Sequence, residues 1–195
     1  LSGTTIVTGN SAGFTGSTSI LGGKLQVEGA LAGHINVLAG GTLSGSGTVG
    51  STTVHDGGLL APGSSIGTLT VDGDLALLSG ASLAFDLGSP GPADDPAAGR
   101  SDTVNVAGDL VLDGTLDLFA AGDPEGSPGL GYYRLFTYGG ALQDNGLEIG
   151  QAPGVDDPAR YLLQAGGQRV DLFIAALGED TLQHWQGGDG TWSAD

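Results

Sequence analysis

The alternation of apolar and polar residues in this chain continues for longer than a single β-strand can extend. Every odd position from 21 to 49 holds an apolar residue or glycine, and the even positions are mostly polar, with Leu38 as the clear exception. A period of two is typical of strands that bury one face. Because strands usually contain about five or six residues, the chain must turn corners without inverting this pattern.

The alternation returns in two later blocks, after a change of register near Thr53 and Val54. Helical spacing is absent, apart from a single turn that residues 175–185 could hold. The pattern therefore predicts an all-β chain. The apolar positions are Leu69, Val71, Leu75, Leu77, Leu83, Phe85 and Leu87 in the odd block, and Val104, Val106, Leu110, Leu112, Leu116 and Leu118 in the even block.

Short repeats indicate how the strands are arranged. The motif Gly-Gly-x-Leu begins at Gly22, Gly40 and Gly57, so its copies are 18 and 17 residues apart. A longer echo links residues 71–77 with residues 106–112, 35 positions later, or about two of the shorter repeats. A repeat near 18 residues is too short for a strand–helix–strand unit and is typical of a solenoid. We therefore predict a parallel β-helix of roughly nine to ten coils, about 45 Å long.

Composition restricts the partners that this chain can have. It has 22 acidic and 5 basic residues, a formal net charge of −17, and no cysteine or methionine. The charge argues against nucleic acid and anionic membrane surfaces, because no basic patch is available to bind them. The absence of cysteine excludes disulfides and thiolate metal sites, and it suits a protein that crosses a periplasm unfolded. With 39% hydrophobic residues, the 39 glycines are expected at fixed corners of an ordered structure.

Three proline- and aspartate-rich stretches interrupt the alternation and are predicted to be loops that leave the rod. They cover residues 89–100, 123–129 and 153–159. The sequence has no apolar run of about eighteen residues, so we expect no insertion of this segment into a membrane. Because the alternating pattern is cut at both ends, we expect the chain to be part of a larger protein.

Residues 63–67 match the G-x-S-x-G pattern of serine hydrolases, with Ser65 in the nucleophile position. That pattern requires a strand before the serine and a helix after it. Here the residues after Gly67 alternate as in a strand, and Pro62 and Gly63 are typical of a corner. A corner is the favoured interpretation, and a hydrolase that uses Ser65 stays open as a third function.

The imidazoles in this chain are His34, His55 and His184, and none of them completes a catalytic set. A triad of Ser65, His55 and Asp56 is disfavoured, because adjacent residues on a strand point to opposite faces. His34 has the outward parity of its strand. We therefore interpret the histidines as solvated or corner-capping residues.

Acidic pairs at residues 94–95 and 156–157 could supply oxygen ligands to Ca²⁺, which takes about six to eight of them. Residues 187–190 begin like a calcium-binding repeat, but Trp192 stands where that repeat requires aspartate. Solvated loops are the favoured interpretation. The sequence thus predicts no metal site, no cofactor and no catalytic residues.

Four aromatic residues cluster within residues 132–138. They could form a binding platform, but core packing with the tyrosine hydroxyls reaching solvent is the favoured alternative. The cluster consists of Tyr132, Tyr133, Phe136 and Tyr138.

Several of these motifs resemble those of bacterial autotransporters. Residues 40–49 and 57–71, with the run Ala-Pro-Gly-Ser-Ser-Ile-Gly, resemble the passenger-associated repeat of type V autotransporters. Residues 101–136 are similar to the pertactin-like stem region, which is often linked to folding of the passenger outside the cell. Residues 185–193 resemble the opening of a further β-strand repeat. The resemblance divides the chain into Gly-rich repeats at 1–100, a stem and folding region at 101–178, and a further repeat or linker at 179–195.

The resemblance also implies a right-handed, single-stranded parallel β-helix that is exported through the periplasm and outer membrane to the cell surface. The implied partner is the rest of an autotransporter chain, with a C-terminal outer-membrane β-barrel. Because the family includes adhesins, proteases and esterases, the resemblance implies no single activity.

We expect a structural role rather than an enzymatic one, because the apolar columns are predicted without a catalytic set. In this hypothesis the coils form a rigid stalk, and residues 101–176 help the rod to fold. The alternative is an adhesive surface, in which outward polar residues mediate self-association between cells, biofilm formation or attachment to a host ligand. Repetition along the rod would then supply avidity.

Overall fold

The computed structural model describes residues 3–122, 128–153 and 160–176. In these ranges the chain forms a parallel β-helix, in which successive coils add strands to three sheets, here named A, B and C. The predicted all-β class and parallel solenoid are therefore confirmed, whereas the right-handed sense stays a prediction. The described residues include one 3-10 helix, Pro96–Ala98, and no helix that is long and apolar enough to cross a membrane.

The first three coils are compact, and each contributes one strand to sheets A, B and C in that order. Their corners are short because glycines occur at most of them. The strands are β1 (Thr4–Val7), β2 (Asn10–Ser11) and β3 (Ser17–Ile20); β4 (Gly23–Val27), β5 (Ala30–Leu31) and β6 (His34–Val37); and β7 (Gly41–Gly45), β8 (Thr48–Val49) and β9 (Thr52–Val54).

The later coils repeat the same order with longer connections, and an antiparallel hairpin comes after them. The strands are β10 (Leu59–Pro62), β11 (Thr68–Val71) and β12 (Leu75–Leu77); β13 (Ser82–Leu87), β14 (Thr103–Val106) and β15 (Leu110–Leu112); β16 (Thr115–Ala120), β17 (Gly131–Tyr138) and β18 (Leu142–Asp144); β19 (Glu148–Ile149); and the hairpin strands β20 (Tyr161–Gly166) and β21 (Arg169–Ile174).

The core consists of apolar columns that run along the rod. In sheet A, Leu25 pairs with Leu43 and Leu43 with Leu60, so identical side chains stack one strand spacing apart. Burial in such columns stabilises each coil by about 25 cal/mol per Å² of apolar surface. Leu21 departs from the predicted inward parity and is 77% exposed, because it lies in the corner between β3 and β4.

The number of coils is lower than predicted. Sheet A has seven strands and sheet C has six, so the described residues form six complete coils and the beginning of a seventh, not nine to ten. The error comes from the 35-residue echo, because Val71 pairs directly with Val106, and Leu75 with Leu110. The echo is thus one enlarged coil and not two ordinary ones. Six spacings of about 4.8 Å give a rod of about 29 Å, shorter than the predicted length.

The enlarged coil contains an excursion that leaves the rod after β13 and returns before β14. An antiparallel bridge between Leu87 and Ser101 closes its base, and the Gly88 N–H donates to the Arg100 carbonyl at 2.8 Å. The loop predicted at residues 89–100 is this excursion. Of the other two predicted loops, residues 123–127 and 154–159 lie outside the described residues.

The antiparallel hairpin β20–β21 closes the C-terminal end of sheet B. β21 pairs antiparallel with β17, whereas the strand pairs between successive coils are parallel. At the other end, β1, β2 and β3 are the terminal strands of their sheets within the described residues. The hairpin therefore covers part of one end of the described stack. Of the residues 175–185, where a helical turn was predicted, only Ala175 and Ala176 are described, and the segment 179–195 lies outside the described residues.

Polar side chains connect successive coils at the corner between sheets B and C. The Asp74 Oδ1 atom accepts a hydrogen bond of 2.8 Å from the Asp109 N–H, and Asp109 Oδ1 accepts one of 2.7 Å from the Ala141 N–H. A Cβ atom at Gly108 would lie 2.1 Å from Asp74 Oδ1, so only glycine leaves room for this contact. The Gly-Asp-Leu run within the 35-residue echo therefore marks a corner whose aspartate binds the next coil.

Substitution of Asp109 tests this corner contact. Asp109→Ala removes the acceptor of the Ala141 N–H and should lower the free energy of unfolding by about 1 kcal/mol, whereas Asp109→Asn retains an oxygen and should lose less. Urea unfolding followed by circular dichroism measures the difference. Asp94→Ala, in the exposed excursion, is the matched control and should change stability by less than about 0.5 kcal/mol. Equal effects of Asp109→Ala and Asp94→Ala would show that the contact adds nothing.

Candidate functional site

Ser65 lies in an exposed corner between β10 and β11 and not in a nucleophile elbow. Gly63 has a left-handed φ of 72°, and the residues after Gly67 form strand β11. A nucleophile elbow requires a helix at that point. His55 is engaged elsewhere, because its Nε2 atom lies 3.2 Å from Asn36 Oδ1. The structure thus does not bring Ser65 and His55 together as a catalytic pair.

A buried carboxylate braces this corner from the next coil. Asp102 is 1% exposed; its Oδ1 atom accepts a 2.8 Å hydrogen bond from the Gly67 N–H, and its Oδ2 atom accepts one of 2.8 Å from the Asp86 N–H. Burial raises the pKa of Asp102 to about 7, with a smaller contribution from the nearby Asp86 charge, and the two hydrogen bonds oppose the rise only in part. Asp102 therefore holds the Pro-Gly-Ser-Ser-Ile-Gly corner at the point where the excursion rejoins the rod. No sequence pattern distinguishes Asp102, because an aspartate beside a loop is common.

The two described imidazoles belong to polar ladders on the outer face of sheet C. His34 Nε2 lies 3.3 Å from Thr53 Oγ1, and Asn36 Nδ2 donates to Ser17 Oγ at 3.1 Å. Together with the contact between His55 and Asn36, these bonds connect the first three coils through their side chains. His34 and His55 thus have structural partners, and His184 lies outside the described residues.

The acidic residues of the described ranges form no metal centre. Asp94 and Asp95 are exposed in the excursion, and Asp56 Oδ1 accepts a hydrogen bond of 3.0 Å from the Gly80 N–H. Within these ranges no group of three or more His, Asp or Glu residues is placed to hold a metal ion. Residues 156–157 and 187–190, considered above as calcium ligands, lie outside the described residues.

The aromatic cluster divides between the core and the hairpin. Phe136 is buried and packs against Phe85 with ring centroids 5.4 Å apart, whereas Tyr132 stacks on Phe173 of β21 at 4.5 Å. Tyr133 is also buried, and its hydroxyl accepts a hydrogen bond from the Gly129 N–H at 2.8 Å instead of reaching solvent as predicted. Burial raises the pKa of this hydroxyl, so it stays a neutral donor and acceptor.

An ion pair between the rod and the hairpin lies in the same sheet as these aromatic residues. The Arg134 Nε atom of β17 contacts the Asp171 Oδ1 atom of β21, and Arg169 Nε lies 3.1 Å from Asp171 Oδ2. The side chain of Asp171 is only 6% exposed, and that of Arg134 is 18% exposed. Breaking a buried pair by removing one partner costs about 3–5 kcal/mol. The hairpin is therefore held by a specific electrostatic contact as well as by packing.

A groove runs along the corner between sheets B and C. It has a volume of about 430 Å³ and crosses four coils, from Ala12 in the first to Asp72 in the fourth. Its walls include the side chains of Thr15, His34 and Thr48. The volume falls in the range of small-ligand sites, about 300–1,000 Å³. The groove was not predicted from the sequence, because its residues are about 20 positions apart and meet only after the coils stack.

The raised pKa of Asp102 predicts how stability depends on pH. Between the ordinary value of 3.8 and about 7, the folded chain binds a proton at Asp102 that the unfolded chain does not. The contribution of this group to stability is therefore complete at low pH and is lost as the pH rises through about 7. Asp102→Asn cannot ionise and should lack this part of the pH dependence.

Urea unfolding of both chains at about pH 5.5 and about pH 8.5 checks this prediction. The wild-type chain should lose more stability than Asp102→Asn between the two values. The other carboxylates are common to both chains, so their contributions cancel. Equal losses in the two chains would contradict a raised pKa at Asp102.

Comparison with known proteins identifies a relative but no family model. No protein-family model matches this chain. Over 126 aligned residues, 62% of this chain, it is 42% identical to the adhesin BmaC autotransporter of Brucella suis biovar 1 (strain 1330). The aligned part makes up 4% of that protein, so this chain spans a small fraction of its length. The match confirms the resemblance that the motifs indicated: over more than half of its residues, this chain is similar to a segment of a bacterial autotransporter.

Proposed function

We propose that this chain is a rigid segment of a surface-exposed autotransporter passenger and acts as a stalk whose C-terminal part promotes folding. The observation that carries the proposal is the parallel stack of coils with a continuous apolar core, held at one end by the hairpin. The similarity to an autotransporter supports the setting at the cell surface. The proposal includes no catalytic role, which agrees with the separation of Ser65 from His55.

Rigidity results from the way in which the coils are joined. The backbone bonds of each coil run to its neighbours; for example, the Thr48 N–H donates to the Gly29 carbonyl at 2.9 Å, and the Thr70 N–H donates to the Gly47 carbonyl at 3.0 Å. Bending the rod would strain several of these bonds and open the apolar columns together. In a solenoid of this kind each repeat contacts only its neighbouring repeats. This arrangement suits a spacer, because the number of coils sets its length.

The folding role is proposed for residues 101–178, the stem-like part, as distinct from the Gly-rich coils at 1–100. A coil cannot satisfy its backbone alone, so an initial surface is needed on which the next coil can form. The hairpin supplies such a surface, because antiparallel strands joined by a short turn form from local contacts. Its ion pair between Arg134 and Asp171 fixes the hairpin to β17.

We place the chain in the cellular setting that its relative suggests. In this proposal the segment is exported through the periplasm and outer membrane and is displayed outside the cell. Its partner is the remainder of the polypeptide, with a C-terminal outer-membrane β-barrel. The segment 179–195 would connect the stem to that remainder, as a further repeat or a linker.

A second function, adhesion, is favoured by two observations. The relative is named an adhesin. The compact coils also carry the groove between sheets B and C, which has a volume of about 430 Å³. In this alternative the stalk is itself a contact surface, for self-association or for a host ligand. Weak contacts would be strengthened by repetition along the rod.

Deletion of one coil separates the two functions. Leu43 and Leu60 are in register, so removal of residues 43–59 joins Thr42 to Leu60 and leaves the apolar column continuous. A spacer should stay folded and displayed after this deletion, with resistance to protease unchanged and a rod shorter by about 4.8 Å. The readouts are surface display in the parent protein and limited proteolysis.

A deletion of half a coil, residues 43–51, is the control, because it places polar residues in the core and should abolish resistance to protease. Loss of resistance with the full-coil deletion as well would contradict the spacer function. Retained folding with loss of cell attachment would instead favour adhesion, since the deletion removes Thr48 and Gly50 from the groove.

Refolding kinetics test the folding role. Asp171→Ala leaves Arg134 without its buried partner and should slow refolding if the hairpin forms early. Asp56→Ala is the matched control in the compact coils, where the carboxylate bonds the Gly80 N–H, and it should accelerate unfolding with little effect on refolding. Stopped-flow circular dichroism measures both rates. A hairpin that docks late would give the opposite result, with Asp171→Ala changing the unfolding rate alone.

A further inference from the structure

The floor of the groove is a column of small residues that ends at a carboxylate. Strand register places Ala12, Ala32, Gly50 and Asp72 at equivalent positions in four successive coils, each directly after a strand of sheet B. All four residues line the groove, with Asp72 in the last of the four coils. The first three have small or no side chains and leave room at this corner, whereas Asp72 adds a carboxylate.

Three oxygen-bearing side chains that line the groove have no partner among the described residues and are available to a ligand. The hydroxyls of Thr15 and Thr48 and the carboxylate of Asp72 make no side-chain hydrogen bond or ion pair with any residue in the described ranges. His34 contributes an imidazole whose Nε2 atom contacts Thr53 and whose Nδ1 atom has no described partner. The groove therefore offers hydroxyl, carboxylate and imidazole groups at its surface, which suits a ligand with several hydrogen-bonding groups.

An exposed aromatic ring lies against Gly33, one of the residues that line the groove. Phe14 is 40% exposed, and its ring lies over two glycines: a Cβ atom at Gly16 would be 2.6 Å from its Cζ atom, and one at Gly33 would be 3.0 Å from its Cδ1 atom. Gly33 and Thr15 line the groove. The ring thus supplies an apolar face next to the polar groups, as in sites for amphipathic ligands.

The backbone of the groove is already satisfied, which argues against an extended peptide as the ligand. The N–H groups of Ala32, Gly50 and Asp72 donate to carbonyls of the preceding coil at 3.3, 3.0 and 2.7 Å. Peptides that add a strand to a sheet need a free edge with unpaired backbone groups. The groove has none along its floor, so recognition must come from side chains.

Charge restricts the ligand further. The chain has a net charge of −17, and Asp72 places a carboxylate within the groove. Anionic ligands are repelled by this charge. A neutral ligand with many hydroxyl groups meets no such penalty and can donate hydrogen bonds to the Asp72 carboxylate, which are stronger than bonds between neutral groups.

We propose that this groove binds a neutral saccharide, with Asp72, Thr48 and Thr15 accepting or donating hydrogen bonds to sugar hydroxyls and Phe14 packing against a sugar face. The proposal rests on the adhesive function considered above and gives it a ligand class. We expect a dissociation constant in the millimolar range at a single groove, which corresponds to a binding free energy of about −4 kcal/mol. Display of many copies on a cell supplies avidity.

Titration of the isotope-labelled 195-residue chain with lactose and with N-acetylglucosamine, followed by amide NMR shifts, tests the proposal. The amides of the groove should shift with at least one of these sugars. Asp72→Asn, Thr48→Val and Phe14→Ala should each weaken the affinity by at least about fivefold. Asp94→Asn changes the charge equally on the exposed excursion and should leave the affinity unchanged. Each variant's own amide spectrum shows whether it is folded.

Three outcomes would overturn the proposal. The first is that neither sugar shifts the amides of the groove. The second is that the shifts are identical in Asp72→Asn and in the wild-type chain. The third is that trilysine shifts these amides and neither sugar does, which would show that the ligand is cationic.

Cell assays distinguish a failure of the saccharide proposal from a failure of the adhesive function. Cells that attach equally well with wild-type and Asp72→Asn chains would retain adhesion and exclude the groove. Cells that do not attach, together with sugar binding in solution, would retain the groove and exclude adhesion.

Discussion

Hydrogen bonding between coils is the constraint on which the rest of this structure depends. Backbone groups in strands must be paired, and here their partners belong to the preceding and following coils, as for the Gly50 N–H and the Leu31 carbonyl at 3.0 Å. A single coil is therefore not a stable unit, and the ends of the stack become its weakest points. The ion pair between Arg134 and Asp171 and the hairpin it holds protect the C-terminal end of the described stack.

The same constraint explains which positions can differ in residue type and which cannot. Inward positions must repeat the same kind of side chain, since Leu25, Leu43 and Leu60 share a column. Corner positions must admit the neighbouring coil, so Gly108 leaves room for Asp74. Other outward and corner positions face neither constraint and can hold different residue types from coil to coil. Asp72 occupies such a position. A functional groove can thus arise on the rod without disturbing the stack.

The period-two alternation and the repeat spacing were enough to predict the class of fold, because both reflect the burial of one strand face. They did not give the number of coils, because coils enlarged by long connections, such as the excursion at residues 88–101, contain about as many residues as two compact coils. The hairpin could not be predicted either, since β20 carries little apolar alternation and its partner β21 joins the rod through β17, which is distant in sequence. Asp102 and the groove were missed for a related reason: burial and concavity depend on the register between coils, which no local pattern records.

Native-state hydrogen exchange of the full chain tests most directly whether the stack is stabilised from its C-terminal end. If it is, the slowest-exchanging amides should lie in β14, β17 and β21, and protection should decrease coil by coil toward β1. Fast exchange in the hairpin together with the strongest protection in β4 and β7 would contradict this account, because the stack would then be stable without the hairpin.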